Sequence, residues 1–187
     1  MSVIALVGRP NVGKSSLFNR LLRRSAALVD NRPGVTRDRH YGRLTVEGRE
    51  GLLVDTGGFE LGSEPLASPI NEQIRLALEE CDLAVLVVDG LLGIHPRDAE
   101  LADLIRRSGR PAVVAVNKLD SQEKESLALE FHQLGLENLY PVSAANGLGV
   151  SLLSEAIFPY LTETSDEATQ EAPRIAVIGR PNAGKSS

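Results

Sequence analysis

The stretch IALVGRPNVGKSS, residues 4–16, decides the fold of this 187-residue chain. Four apolar residues, Ile4–Val7, run straight into Gly8-Arg9-Pro10-Asn11-Val12-Gly13-Lys14-Ser15, and an amphipathic segment follows from Ser16 to Arg23. The eight central residues satisfy G-x-x-x-x-G-K-[ST], and a strand before with a helix after is the setting that this pattern needs. Glycines let the backbone turn so that several N–H groups point inward. The helix N-terminus adds partial positive charge. Lys14 is placed to reach the β- and γ-phosphates of a nucleotide, and the Ser15 hydroxyl to ligate Mg²⁺. Residues Gly8 to Ser16 are therefore the expected phosphate site. A glycine-rich turn without a ligand is the plain alternative, and the strand–loop–helix context speaks against it.

Working outward, short apolar runs recur: VIALV (3–7), LLV (52–54), LAVLVV (83–88), AVVAV (112–116) and LYPV (139–142). Each is bounded by Gly, Asp or Asn and is too short for a buried helix, which predicts buried parallel strands. Residues His40–Glu47 alternate and suit an edge strand. Ile70, Ile74 and Leu78 fall on one helical face. Apolar stripes also run through Ala99–Ile105, 121–133 and 149–161. The alternation predicts an α/β fold of the P-loop NTPase kind: three layers around a mainly parallel six-stranded sheet with one antiparallel edge strand.

Three further motifs follow in order, each after its own strand. Asp55-Thr56-Gly57-Gly58 comes about forty residues after the phosphate loop. Asp55 can hold Mg²⁺ through water, and Gly58 can bring its backbone N–H against a γ-phosphate. Thr36, in Pro33–Asp38, is the candidate for a second Mg²⁺ hydroxyl, ordered only when the γ-phosphate is present. Asn117-Lys118-Leu119-Asp120 points to guanine. The Asp120 carboxylate can accept both the N1–H and the N2–H₂ of guanine, whereas adenine offers no such pair of donors. Asn117 is expected to bond the base N7 and to tie loops together, and the stem of Lys118 to cover a base face. Ser143-Ala144-Ala145 offers a backbone N–H to the guanine O6.

Composition narrows the class. With 42% hydrophobic and 24% charged residues, the chain can build a core and is not disordered throughout. A single cysteine, Cys81, rules out an internal disulfide and fits a reducing, cytoplasmic setting. The apolar start is too short for a signal peptide or membrane span. Residues 1–49 hold ten Lys/Arg and three Asp/Glu, within a net charge of −5. Most of those arginines are read as solvated, although a phosphate-rich partner would suit them.

Near the end the phosphate motif returns. IAVIGRPNAGKSS (175–187) matches residues 4–16 at ten of thirteen positions, after the acidic stretch TETSDEATQE (162–171). The expected organisation is a GTPase-type domain at 1–161, an acidic linker at 162–173 and the opening of a second such domain at 174–187. GRPNVGKSS, PGVTRDR, DTGGFE, NKLD, SAANG and the second GRPNAGKSS together resemble the bacterial double-GTPase family, Der (EngA), over essentially the whole chain. That resemblance implies a GTP-hydrolysing switch whose full-length parent serves assembly of the large ribosomal subunit, without a membrane. It also implies a K⁺ role for Asn11, since Phe59 stands where many GTPases carry a water-orienting Gln. A module that holds GDP or GTP with negligible turnover is the alternative.

Overall fold

Five apolar runs become parallel strands, and their register sets where every loop lies. The computed structural model describes residues 1–24, 40–56 and 69–163. Thr36, Gly57, Gly58, Phe59, the linker beyond Glu163 and the second phosphate motif lie outside the described residues. The strands are β1 (Ser2–Val7), β2 (His40–Val46), β3 (Arg49–Asp55), β4 (Leu83–Asp89), β5 (Ala112–Asn117), β6 (Leu139–Pro141) and β7 (Thr162–Glu163). The helices are α1 (Lys14–Arg24), α2 (Pro69–Glu80), α3 (Pro96–Ser108) and α4 (Val150–Ile157). Sheet order is β2-β3-β1-β4-β5-β6. Neighbours from β3 to β6 pair in parallel, and β2 pairs antiparallel with β3 at one edge.

Strand β4 shows how the sequence makes three layers. All seven of its residues are buried. Leu83, Val85 and Val87 join one core with Leu17 and Leu21 of α1 and Leu153 and Ile157 of α4. Ala84, Leu86 and Val88 join a second core with Ile74 and Leu78 of α2 and Leu101 and Ile105 of α3. The period-two alternation of the pleat delivers an apolar side chain to each face, so only a central strand can be apolar throughout.

Two details differ from the expectation. Residues Gln122–Leu134 form a 3-10 helix rather than an α-helix. Its buried residues are Ala128, Phe131 and Leu134, spaced by three, and a spacing of three lines up on one face when there are three residues per turn. The sheet also gains a seventh strand. After α4, Pro159 lies within a short 3-10 turn, and Thr162–Glu163 then pair antiparallel with Arg49 and Glu50 of β3. The Ser2 and Thr162 hydroxyls lie 2.6 Å apart, and Arg49 reaches Glu163 at 3.0 Å. The first two residues of the acidic stretch thus extend the sheet.

Helix α3 has the best-defined ends. His95 caps it by accepting from the Arg97 N–H, the Asp98 carboxylate accepts from the His95 N–H, Pro96 occupies the first turn, and Gly109 closes it at φ 67°.

Cys81 follows α2 and is fully buried. Burial pushes its thiol up to about 11 from the ordinary 9.0. At pH 8 the native thiolate fraction is about a hundredfold lower than in the unfolded chain, so thiol-reagent labelling should be slower than in urea by at least that factor. The raised value favours the folded, protonated thiol. Its contribution is complete below pH 9.0 and lost as pH rises through about 11. A Cys81→Ala variant followed by urea unfolding should lack that alkaline decline.

Candidate functional site

Parallel pairing brings the C-terminal ends of β1, β3, β4, β5 and β6 to one edge of the sheet, where open α/β folds bind ligands. Leu6 stands beside Asp55, Val7 beside Leu86, Asp89 beside Asn117, and Val116 beside Pro141. The loops after β3, β1, β5 and β6 therefore occur in that spatial order, although they arise from residues more than a hundred positions apart.

At the phosphate loop, Lys14 is buried and donates from Nζ to the carbonyls of Gly8 and Arg9, both at 2.8 Å. Burial pushes its pKa below the usual lysine range. Asp55 opposes that shift and Arg9 adds to it. A polyanion beside the ammonium would favour its charged form. The Ser15 hydroxyl donates to Asp55 Oδ2 at 2.7 Å. A hydroxyl and a buried carboxylate, both hard oxygen donors, stand together, which is chemistry that suits Mg²⁺. Thr56 is turned away from this pair. Its hydroxyl donates to the Leu6 carbonyl at 2.7 Å and stitches β3 to β1.

Arg9 is also turned aside. Its Nε lies 3.3–3.4 Å from the two carboxylate oxygens of Asp98, which is fully buried at the start of α3. Burial raises the Asp98 pKa, while the His95 N–H and Arg9 pull it down. Pro10, Asn11 and Ser16 are exposed and Val12 is buried in the core. Asn11 adopts φ 65°, uncommon outside glycine. Gly13 has φ 95°, and a Cβ there would strike the amide of Asn117, so only glycine fits.

Asn117, 2% exposed, is the joint of the site. Its Nδ2 donates to the Val12 carbonyl at 2.8 Å, and its Oδ1 accepts from the Ala144 N–H at 2.9 Å. Lys118 sits at φ 73° with Nζ 2.6 Å from the buried Asp89 carboxylate. Asp120 is exposed and accepts from Lys124 at 2.6 Å. Hydrogen bonding and charge from Lys124 hold its carboxyl below the usual range, so it is an ionised acceptor at neutral pH. Ser143 closes its own turn. Its N–H donates to the Leu148 carbonyl, its carbonyl accepts from Gly147, and its hydroxyl accepts from the Asn146 N–H. Arg20 of α1 donates to the carbonyls of Ala144 and Ala145.

Sequence reasoning did not single out Asp89, Arg20, Asp98 or Lys124. Asp89-Gly90 at a strand end, Pro96-Arg97-Asp98 after His95 and a Lys four residues after Asp120 carry weak local signals. Arg20 carries none, because its partners are some 125 residues away.

The family model described as 50S ribosome-binding GTPase matches residues 3–118. GTPase Der of Syntrophobacter fumaroxidans is 47% identical over 194 residues, covering all of this chain and 43% of the relative. The chain thus spans less than half the length of the curated relatives it matches. Two solved structures are similar. Era of Aquifex aeolicus bound to GDP·AlF4⁻ has TM-score 0.69 and 30% identity, over 88% of this chain and 59% of that one. Era in complex with MgGDPNP and nucleotides of 16S ribosomal RNA has TM-score 0.67 and 29% identity, over 88% and 58%.

Replacing Asn117 by Ala strips partners from the Val12 carbonyl and the Ala144 N–H together. At about 1–3 kcal/mol per unsatisfied buried group, unligated Asn117→Ala protein should lose roughly 2–4 kcal/mol in urea unfolding. A loss within 0.5 kcal/mol, on the order of a surface substitution, would contradict the joint.

Proposed function

Because the chain belongs to the 50S ribosome-binding GTPase family, we propose that it is a guanine-nucleotide switch that hydrolyses GTP to GDP and phosphate. The observation that carries this reading is the alignment along one sheet edge of Lys14, the Ser15–Asp55 pair and the Asn117–Asp120 segment. In this reading the N–H groups of Gly8 to Ser16 and the ammonium of Lys14 hold the β- and γ-phosphates. Water attacks the γ-phosphorus in line, the bond to the bridging oxygen breaks, and GDP leaves. Ser15, Asp55 and Thr36 are the residues that would hold Mg²⁺, which when bound neutralises charge on the phosphates. Gly58 would direct its N–H at the γ-phosphate. Thr56 and Gly57 stand between Asp55 and Gly58 in the motif.

At the other end, Asp120 accepts the two guanine donors, Asn117 bonds the base N7, the stem of Lys118 covers one base face, and the Ser143–Ala145 turn offers a backbone N–H to O6. Phe59 has no hydrogen-bonding group with which to orient water, so the intrinsic rate is slow. Asn11, at its left-handed φ in the phosphate loop, is the residue assigned to a K⁺ ion.

The longer protein to which this chain's relatives correspond would act on the large ribosomal subunit, with the second phosphate motif opening a further GTPase domain. No helix among the described residues is long and apolar enough to cross a membrane. A reducing cytoplasmic setting accords with the lone, buried Cys81.

Two measurements test the reading. Phosphate release from GTP with Mg²⁺ is followed in matched K⁺ and Na⁺ buffers, with ATP as control. Release from GTP alone, faster in K⁺, is expected. Equal rates would remove the K⁺ assignment, and no release from bound GTP would leave a holding module. Asp120→Asn replaces a double acceptor with one acceptor and one donor. Guanine affinity should fall by roughly 10²-fold, while xanthine, with a carbonyl at C2, should gain. Unchanged GDP affinity would refute the base assignment.

A further inference from the structure

Helix α1 serves both ends of the site. It opens with Lys14 at the phosphate loop, and Arg20 lies six residues on, about 9 Å along the axis. There the guanidinium donates from Nε to the Ala144 carbonyl at 2.8 Å and from Nη2 to the adjacent Ala145 carbonyl. The planar fork suits two neighbouring acceptors, which a lysine could not match.

The consequence lies in the peptide between Ala144 and Ala145. A trans peptide is planar, so its C=O and N–H point in opposite directions. Anchoring the Ala144 carbonyl on Arg20 turns the Ala145 N–H away from α1. The Ala144 N–H is already committed to Asn117 Oδ1, and the Ser143 N–H to the Leu148 carbonyl. Of the three N–H groups in this turn, only that of Ala145 has no acceptor among the described residues, and Ala145 is exposed.

We propose that Arg20 is a positioning residue for base selectivity, fixing the peptide plane that aims the Ala145 N–H at the 6-oxygen of guanine. This rests on the guanine-nucleotide reading above. Arg20 touches no substrate itself. It acts through the loop, and its contribution is confined to ligands with a strong acceptor at position 6.

The test is a ligand-by-mutation cycle on the whole 187-residue chain, with GDP, 6-thio-GDP and ADP titrated against wild type, Arg20→Ala and Arg20→Lys. The thio analogue keeps the donors that face Asp120 and replaces O6 by a weak acceptor. Arg20→Ala should weaken GDP about tenfold and 6-thio-GDP no more than about twofold, with ADP unchanged. Arg20→Lys should fall between wild type and Arg20→Ala. Equal losses for GDP and 6-thio-GDP would make Arg20 a mere brace and overturn the proposal. Should Arg20→Ala fail to fold, the same GDP against 6-thio-GDP comparison in Arg20→Lys decides. Wild-type protein that binds ADP as tightly as GDP would instead sink the guanine reading, before any variant is made.

Discussion

A single carboxamide holds the two halves of the site at their working distance. Asn117 leaves the end of β5, spends its donor on the phosphate loop at Val12 and its acceptor on the turn at Ala144. Both bonds are buried, so each is strong, and the cost of losing either is large. Its packing also dictates Gly13, since any side chain there would occupy the space of the amide. The residue whose motif points to a base is also the spacer between the places where phosphates and base would lie.

Around this joint the charges are mostly prepaired. Lys14 leans on backbone carbonyls, Lys118 on Asp89, Asp120 on Lys124, and Arg9 on Asp98. This prepairing ties the loops to the elements around them. It also means that a ligand must exchange partners rather than meet bare charges. Lys14 is the sharpest case, because burial pulls its pKa below the usual lysine range. An anion beside it would oppose that shift, since opposite charge favours the ammonium.

The strand pattern and the phosphate motif were legible because they are local. Period-two burial marks β4, and a fixed spacing marks the loop from Gly8 to Ser15. The motif strings at Asp55 and Asn117 were legible too, and the sheet register brings both strand ends to the edge where β1 runs into Gly8. What stayed hidden depends on partners distant in sequence. That Arg9 would turn to Asp98, or Arg20 to the Ala144 and Ala145 carbonyls, follows only once α1, α3 and the β6 turn are packed together. The 3-10 helix was half visible. The spacing of Ala128, Phe131 and Leu134 is in the sequence, but so are the leucines at 127 and 129 that blur it, and both of those are exposed. The two-residue strand β7 lies in an acidic, polar stretch, where composition argues for a linker and only the pairing with β3 says otherwise.

That last strand has a mechanical side. Thr162 and Glu163 are held by a clasp of two ladder residues, one hydroxyl pair and one ion pair, at the end of β3 opposite Asp55. Its two ladder pairs lie at the opposite end of β3 from Asp55, so opening them leaves the β1–β3 register, which runs from Gly51 to Asp55, untouched.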